Sequence, residues 1–182
     1  MFSYEKYIEY MLPFRELLIG YGEASQSNEF AISRHDVEFD PVRALEMAKI
    51  EHKFQIRSSY FFQVSSDAYN LASENNRKIL FEIGRLGHEI GLHLYVSHLD
   101  SYQKLIFDEE LDRQSSILGA LISRDVKCFS VHRPRPWFLE IRKDSFGGMI
   151  NAYGPSFFEY ALSPKKIKYY ADSTHQWNYG EP

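Results

Sequence analysis

Strand and helix alternate along this sequence, which predicts an α/β fold of parallel βαβ units, either a barrel or an open doubly wound sheet. Three observations carry the prediction. Short apolar runs of period two recur between residues 30 and 131, longer helical patterns separate them, and turn residues mark the junctions. A chain of 182 residues suits a single domain, 1–182, with a sizeable core. Its net charge is −4 and its basic residues form no run, so the electrostatic footprint of a DNA or RNA binder is absent. Residues 1–18 mix Glu5, Lys6, Glu9, Arg15 and Glu16 with apolar residues, leaving neither a secretory h-region nor a transmembrane segment. The single Cys128 has no internal disulfide partner and fits a reducing compartment, so a cytoplasmic, soluble protein is expected.

Residues 4–18 read as an N-terminal helix, followed by a loop through Gly20, Gly22 and 25–28. A first strand is expected over 30–35. Asp40-Pro41 then starts a helix to about His52, with an N-cap carboxylate and a proline at the first helical position. The second strand spans 57–64 and is aromatic in its middle. The next helix, 74–86, places Ile79, Ile83 and Leu86 on one face and stops at Gly87. A third strand ends at His93. A long helix over 103–122 turns Phe107, Leu111, Leu118 and Leu121 inward, and 126–131 makes a fourth strand. Beyond Pro134 and Pro136 the pattern weakens into a helical stretch at 137–143 and strands at 149–152 and 167–171.

In both candidate architectures ligands bind beyond the carboxyl ends of the strands. The unusual polar residues fall there: Asp36 and Glu38, His93 and His98, His132 and Arg133, and Asp172 with Ser173. His93 and His98 are five residues apart, roughly 140° out of line on one helix, so they converge only if His93 ends a strand and His98 lies in the loop beyond. Presented so, they suit a zinc-type cation; solvated loop histidines fit the same pattern. His88 opens its strand and reads as structural, and His52 as a surface residue at a helix end. Aromatics make up 16% of the chain, with 13 Tyr, which suits ring packing in a core and rings stacked on sugar faces equally.

Over about residues 29–177 the motifs resemble the polysaccharide deacetylases of carbohydrate esterase family 4, the NodB homology domain. Arg34-His35-Asp36-Val37-Glu38 resembles the first motif, Gly87 to His98 with its Gly-His-Glu-Ile-Gly block the second, and Ser130-Val131-His132-Arg133-Pro134 the third. Asp172-Ser173-Thr174-His175-Gln176-Trp177 resembles the fourth. A carboxylate on each side of a valine is similar to deacetylase-like proteins of O-antigen and other surface-polysaccharide biosynthesis. The resemblance implies a distorted (β/α) barrel with one divalent metal, usually zinc, acting on an N-acetylated sugar, a nucleotide sugar or a glycan. By position it implies Glu38, His93 and His98 as ligands and Asp36 as general base, and it leaves open which carboxylate does which task. Arg133 would hold the base ionised, unless it bonds loop carbonyls instead. Asp172 would support the site or cap a helix. Tyr95, Trp137 and Trp177 would wall the sugar or simply pack.

Three departures accompany the resemblance. Glu38 stands where the family commonly has Asp. Four residues rather than three separate His93 from His98. No Leu-x-His, the motif that supplies the general acid, follows Trp177 before Pro182. The expectation is therefore a shortened or reduced family member: either a metal-dependent amide hydrolase whose acid function falls to His175, His132 or water, or a catalytically silent module that binds glycan or a biosynthetic partner. A phosphate-binding barrel lacks the glycine-rich loop that would support it.

Overall fold

A computed structural model of the protein describes residues 3–24, 26–96, 98–158 and 168–171. Its frame is a six-stranded sheet in the order β1-β2-β3-β4-β6-β5. The strands are β1 (Ser33–Val37), β2 (Ser58–Phe62), β3 (Glu89–Leu94), β4 (Cys128–Val131), β5 (Ser145–Phe146) and β6 (Met149–Asn151). All neighbouring pairs are parallel except β5 with β6. The βαβ expectation holds through β4, with helices α3 (Pro41–Lys53), α4 (Glu74–Arg85) and α5 (Lys104–Ile122) as the crossovers.

Local chemistry sets the helix ends. The Asp40 carboxylate accepts from the Val42 and Arg43 amides, with Pro41 in the first turn of α3, and the Ser73 hydroxyl accepts from the Asn76 amide to open α4. Gly87 follows α4 at φ +93°, where a side chain would be strained. The expected N-terminal helix is shorter: α1 is Tyr4–Met11, and Pro13, which lacks an amide hydrogen, tightens Leu12–Leu17 into a 3₁₀ turn, followed by the single helical turn α2 (Tyr21–Ala24). Residues 137–143 contribute only α6 (Pro136–Glu140), and α7 (Pro155–Phe158) closes the described core region. The tight β5–β6 hairpin over Gly147 and Gly148 was not expected. Of the strand expected at 167–171, only 168–171 are described, and Ala171 alone makes a β-bridge.

Strand alternation splits the sheet into two faces. Val37, Tyr60, Phe62, Ile90, Leu92, Leu94, Phe129 and Val131 pack under α3, α4 and α5 against Ala48, Leu80, Ile83, Phe107, Leu111 and Leu118. Phe61 and Cys128 point the other way, onto Tyr21 and Ala152. With both faces covered, β2 is buried at all five positions, the pattern of a central parallel strand.

The sheet curls without closing. Arg34 on β1 donates to the Tyr153 hydroxyl beyond β6 at 2.7 Å, although four strand spacings in a flat sheet come to about 19 Å. The expected barrel is thus replaced, among the described residues, by an open curved sheet whose edges are β1 and the two-residue antiparallel β5. Among the described residues no helix is long and apolar enough to cross a membrane.

Candidate metal centre

Curling brings one set of polar side chains together at the carboxyl ends of the strands. On the concave face, alternation from Arg34 puts Asp36 and Glu38 in line, alternation on β3 puts Glu89, Gly91 and His93 in line, and on β4 it aligns Cys128, Ser130 and His132. The His132 amide donates to the Leu94 carbonyl at 2.9 Å, so strand pairing continues one residue past β4 and holds that imidazole on the concave face.

Glu38 Oε1, His93 Nε2 and His132 Nδ1 form a triangle with edges of 3.3, 3.0 and 3.3 Å. Donor atoms held at ~2.0–2.2 Å from a tetrahedral zinc-type ion lie roughly 3.3–3.5 Å apart, so the triangle has the size such an ion needs. Gln63 Nε2 and Glu38 Oε1 both approach His132 Nδ1, at 2.9 and 3.0 Å, and a cation bound there would take the place of the Gln63 contact. Glu38, His93 and His132 are the only residues among those described that group as three possible ligands. His93 is 1% exposed at the floor and Glu38 29% exposed at the rim, so the centre opens to solvent on one side. Both imidazoles draw the Glu38 carboxyl below its ordinary range, His93 most of all, against an opposing effect of burial. Burial in turn lowers the pKa of His132, partly offset by Glu38.

Asp36 sits beside this centre. Arg34 Nε and Nη2 grip its two oxygens at 3.0 and 2.7 Å, and Ser130 Oγ donates to Oδ1 at 3.2 Å. Burial alone would raise the Asp36 pKa, but the Arg34 charge, helped by His93 and Ser130, holds it at about 2. Arg34 is itself fixed by packing, with its guanidinium carbon 4.4 Å from the Tyr153 ring centroid and 5.7 Å from that of Phe61.

Two of the expected site residues lie elsewhere in the structure. His98 is exposed in the turn after β3 and does not join the cluster, whose third corner is His132. Arg133 is exposed at φ +48°, and the cation on Asp36 is Arg34, two residues away on the same strand. Tyr95 does lie at the centre, stacked on His132 with ring centroids 5.5 Å apart. Trp137 is engaged in packing instead, against Tyr102, Phe107 and Phe138, with its indole N–H donated to the Leu99 carbonyl. Asp172, His175 and Trp177 lie outside the described residues. Gln63 and Ser130 were not anticipated, although alternation from His132 back to Ser130 was available as a signal.

No family model matches the sequence, and no curated protein matches it. Solved structures do. The fold is similar to that of the deacetylase PplD from Streptococcus pyogenes, solved in complex with acetate, with a TM-score of 0.56 and 12% identity over 78% of this chain and 74% of that one. A pseudoenzyme of carbohydrate esterase family 4 from Bacillus anthracis gives a TM-score of 0.49 and 15% identity over 66% of this chain and 41% of that one. The family 4 domain of a multidomain xylanase from the hindgut metagenome of Trinervitermes trinervoides gives 0.45 and 18% over 60% and 52%. This chain therefore spans about half or less of those two, and what it shares with the deacetylase is the α/β fold with its mostly parallel six-stranded sheet.

Proposed function

We propose that the protein is a metal-dependent hydrolase that removes an N-acetyl group from an amino sugar, in a glycan or nucleotide sugar of surface-polysaccharide biosynthesis. The observation that carries this reading is the Glu38–His93–His132 triangle of tetrahedral size next to an ionised carboxylate, Asp36. The fold shared with a deacetylase supports it. One carboxylate and two imidazoles suit zinc, and a cation held there supplies Lewis acidity to a carbonyl and to water.

The chain's own residues supply the rest. Asp36 accepts a proton as water adds to the acetamide carbon, and the sugar amine departs with a proton returned from that carboxyl or from solvent. Arg34 keeps Asp36 ionised and aimed. Tyr95, lying flat over His132 at the rim, offers a ring face to the sugar.

The test begins with zinc titration of metal-free protein. One ion per chain is expected, with affinity falling at least about 100-fold in Glu38→Ala, His93→Ala and His132→Ala and unchanged in His98→Ala. A wild type that binds no divalent cation, or His98→Ala as the sole damaging change, overturns the centre. Acetate release from N-acetylhexosamine glycans and nucleotide sugars then tests the reaction: metal binding without release removes the hydrolase and leaves a metal-dependent glycan-binding module.

A further inference from the structure

We propose that Ser130 is a positioning residue that sets the tautomer of His93 and so keeps the Nε2 lone pair directed into the Glu38–His93–His132 cluster; this rests on the metal reading above. Ser130 is fully buried and lies directly opposite His93 in the β3–β4 register. Its hydroxyl oxygen is 2.7 Å from His93 Nδ1 and 3.2 Å from Asp36 Oδ1. A hydroxyl has one hydrogen to give. Asp36, ion-paired with Arg34, can only accept, so that hydrogen goes to Asp36 and the serine lone pair receives Nδ1–H from His93.

The opposite tautomer has a partner of its own. A hydrogen on His93 Nε2 would be donated to Glu38 Oε1 at 3.3 Å, which would satisfy the metal-free pocket while blocking the ligand atom. His93 is 1% exposed, so water does not arbitrate between the two. Arg34, Asp36 and Ser130 thus form a chain of directed hydrogen bonds ending on the imidazole, and its effect is to leave Nε2 unprotonated before any cation arrives.

The experiment uses the metal-free 182-residue chain. Long-range proton–nitrogen NMR correlations on the histidine rings identify the tautomer, and competition with a zinc chelator measures affinity. Wild type is expected to show His93 protonated on Nδ1. Ser130→Ala is expected to move the proton to Nε2 and weaken zinc binding by about 10- to 100-fold. Ser130→Thr, which retains the hydroxyl, is expected to keep the wild-type tautomer and restore most of the affinity. An Nε2-protonated His93 in wild type overturns the inference. So does an unchanged tautomer in Ser130→Ala, or an equal loss of affinity in both variants, which would mark packing rather than the hydroxyl as the cause. If wild type binds no zinc, the metal reading fails separately, and the tautomers still decide what Ser130 does.

Discussion

Asp36 shows how much of a residue's chemistry is supplied by its neighbours. Burial pushes the Asp36 carboxyl towards its protonated form, yet a bidentate guanidinium from the same strand keeps it charged. Asp36→Asn keeps the shape and removes the proton acceptor. It is expected to cut acetate release by about 10²-fold or more while zinc affinity stays within a few-fold of wild type. A collapsed melting curve for this variant would instead make Asp36 structural, and an unchanged rate would remove it from the reaction. Arg34→Met acts on the same group indirectly. Without the cation the Asp36 pKa rises, so the ionised form needed for proton acceptance disappears at higher pH. The acidic limb of the kcat/KM profile is therefore expected to move up in pH, and a limb that stays in place would separate Arg34 from Asp36. Arg133→Met is expected to leave the profile where it is, because Arg133 is exposed and Arg34 grips Asp36.

The strand that carries His93 depends on a glycine. A Cβ at Gly91 would lie 2.5 Å from Phe61 Cε1 and 3.0 Å from Cys128 Sγ, both on fully buried side chains that cannot swing into solvent. Gly91→Ala is expected to destabilise the protein by about 1–3 kcal/mol and to weaken zinc binding through displacement of His93. Phe61→Leu in the same chain should recover part of both losses, read by urea denaturation and zinc titration; no recovery would place the strain elsewhere. The same strand illustrates what was legible beforehand. Alternating polarity and a strand-to-helix junction mark His93, Asp36 and Glu38 from local pattern alone, because His93 stands at the end of β3 and the two carboxylates at the end of β1. The pairing of Arg34 with Asp36 is local too, two residues apart on β1, whereas the hydroxyl of Ser130 against His93 and the approach of His132 to Glu38 and His93 depend on register between strands and on the curl of the sheet. No short window of residues reports either quantity.

At the scale of the molecule, the βαβ frame was legible because β1 to β4 and their crossover helices repeat one amphipathic pattern, whereas the two- and three-residue strands β5 and β6 are too short to show a period. The convex side of the frame hides a second polar cluster that composition could not reveal. Glu51 of α3 is fully buried and accepts from Tyr7 of α1 at 2.5 Å, Ser58 at 2.7 Å and Tyr60 at 2.6 Å, with His35 Nε2 at 2.8 Å. It thereby ties the N-terminal helix, β1, β2 and α3 to one carboxylate. Burial alone would raise its pKa, but the His35 charge and these hydrogen bonds bring it from 4.5 down to about 2. A folded pKa below the unfolded one means stability that is present above about pH 4.5 and lost as pH falls towards 2, about 3 kcal/mol for a shift of this size. Glu51→Gln removes the charge at every pH. Its cost is expected to be about 3–5 kcal/mol at pH 7, the scale for breaking a buried charged network, and to shrink steadily between pH 5 and pH 2 as the Glu51 carboxylate of unfolded wild type takes up a proton that the folded one still lacks. Asp36 titrates over a similar low range in both proteins and so cancels in the difference. Urea unfolding of wild type and variant across that interval reads the effect directly: converging stabilities are expected, and parallel curves would show that the Glu51 charge is not what holds α1 to the sheet.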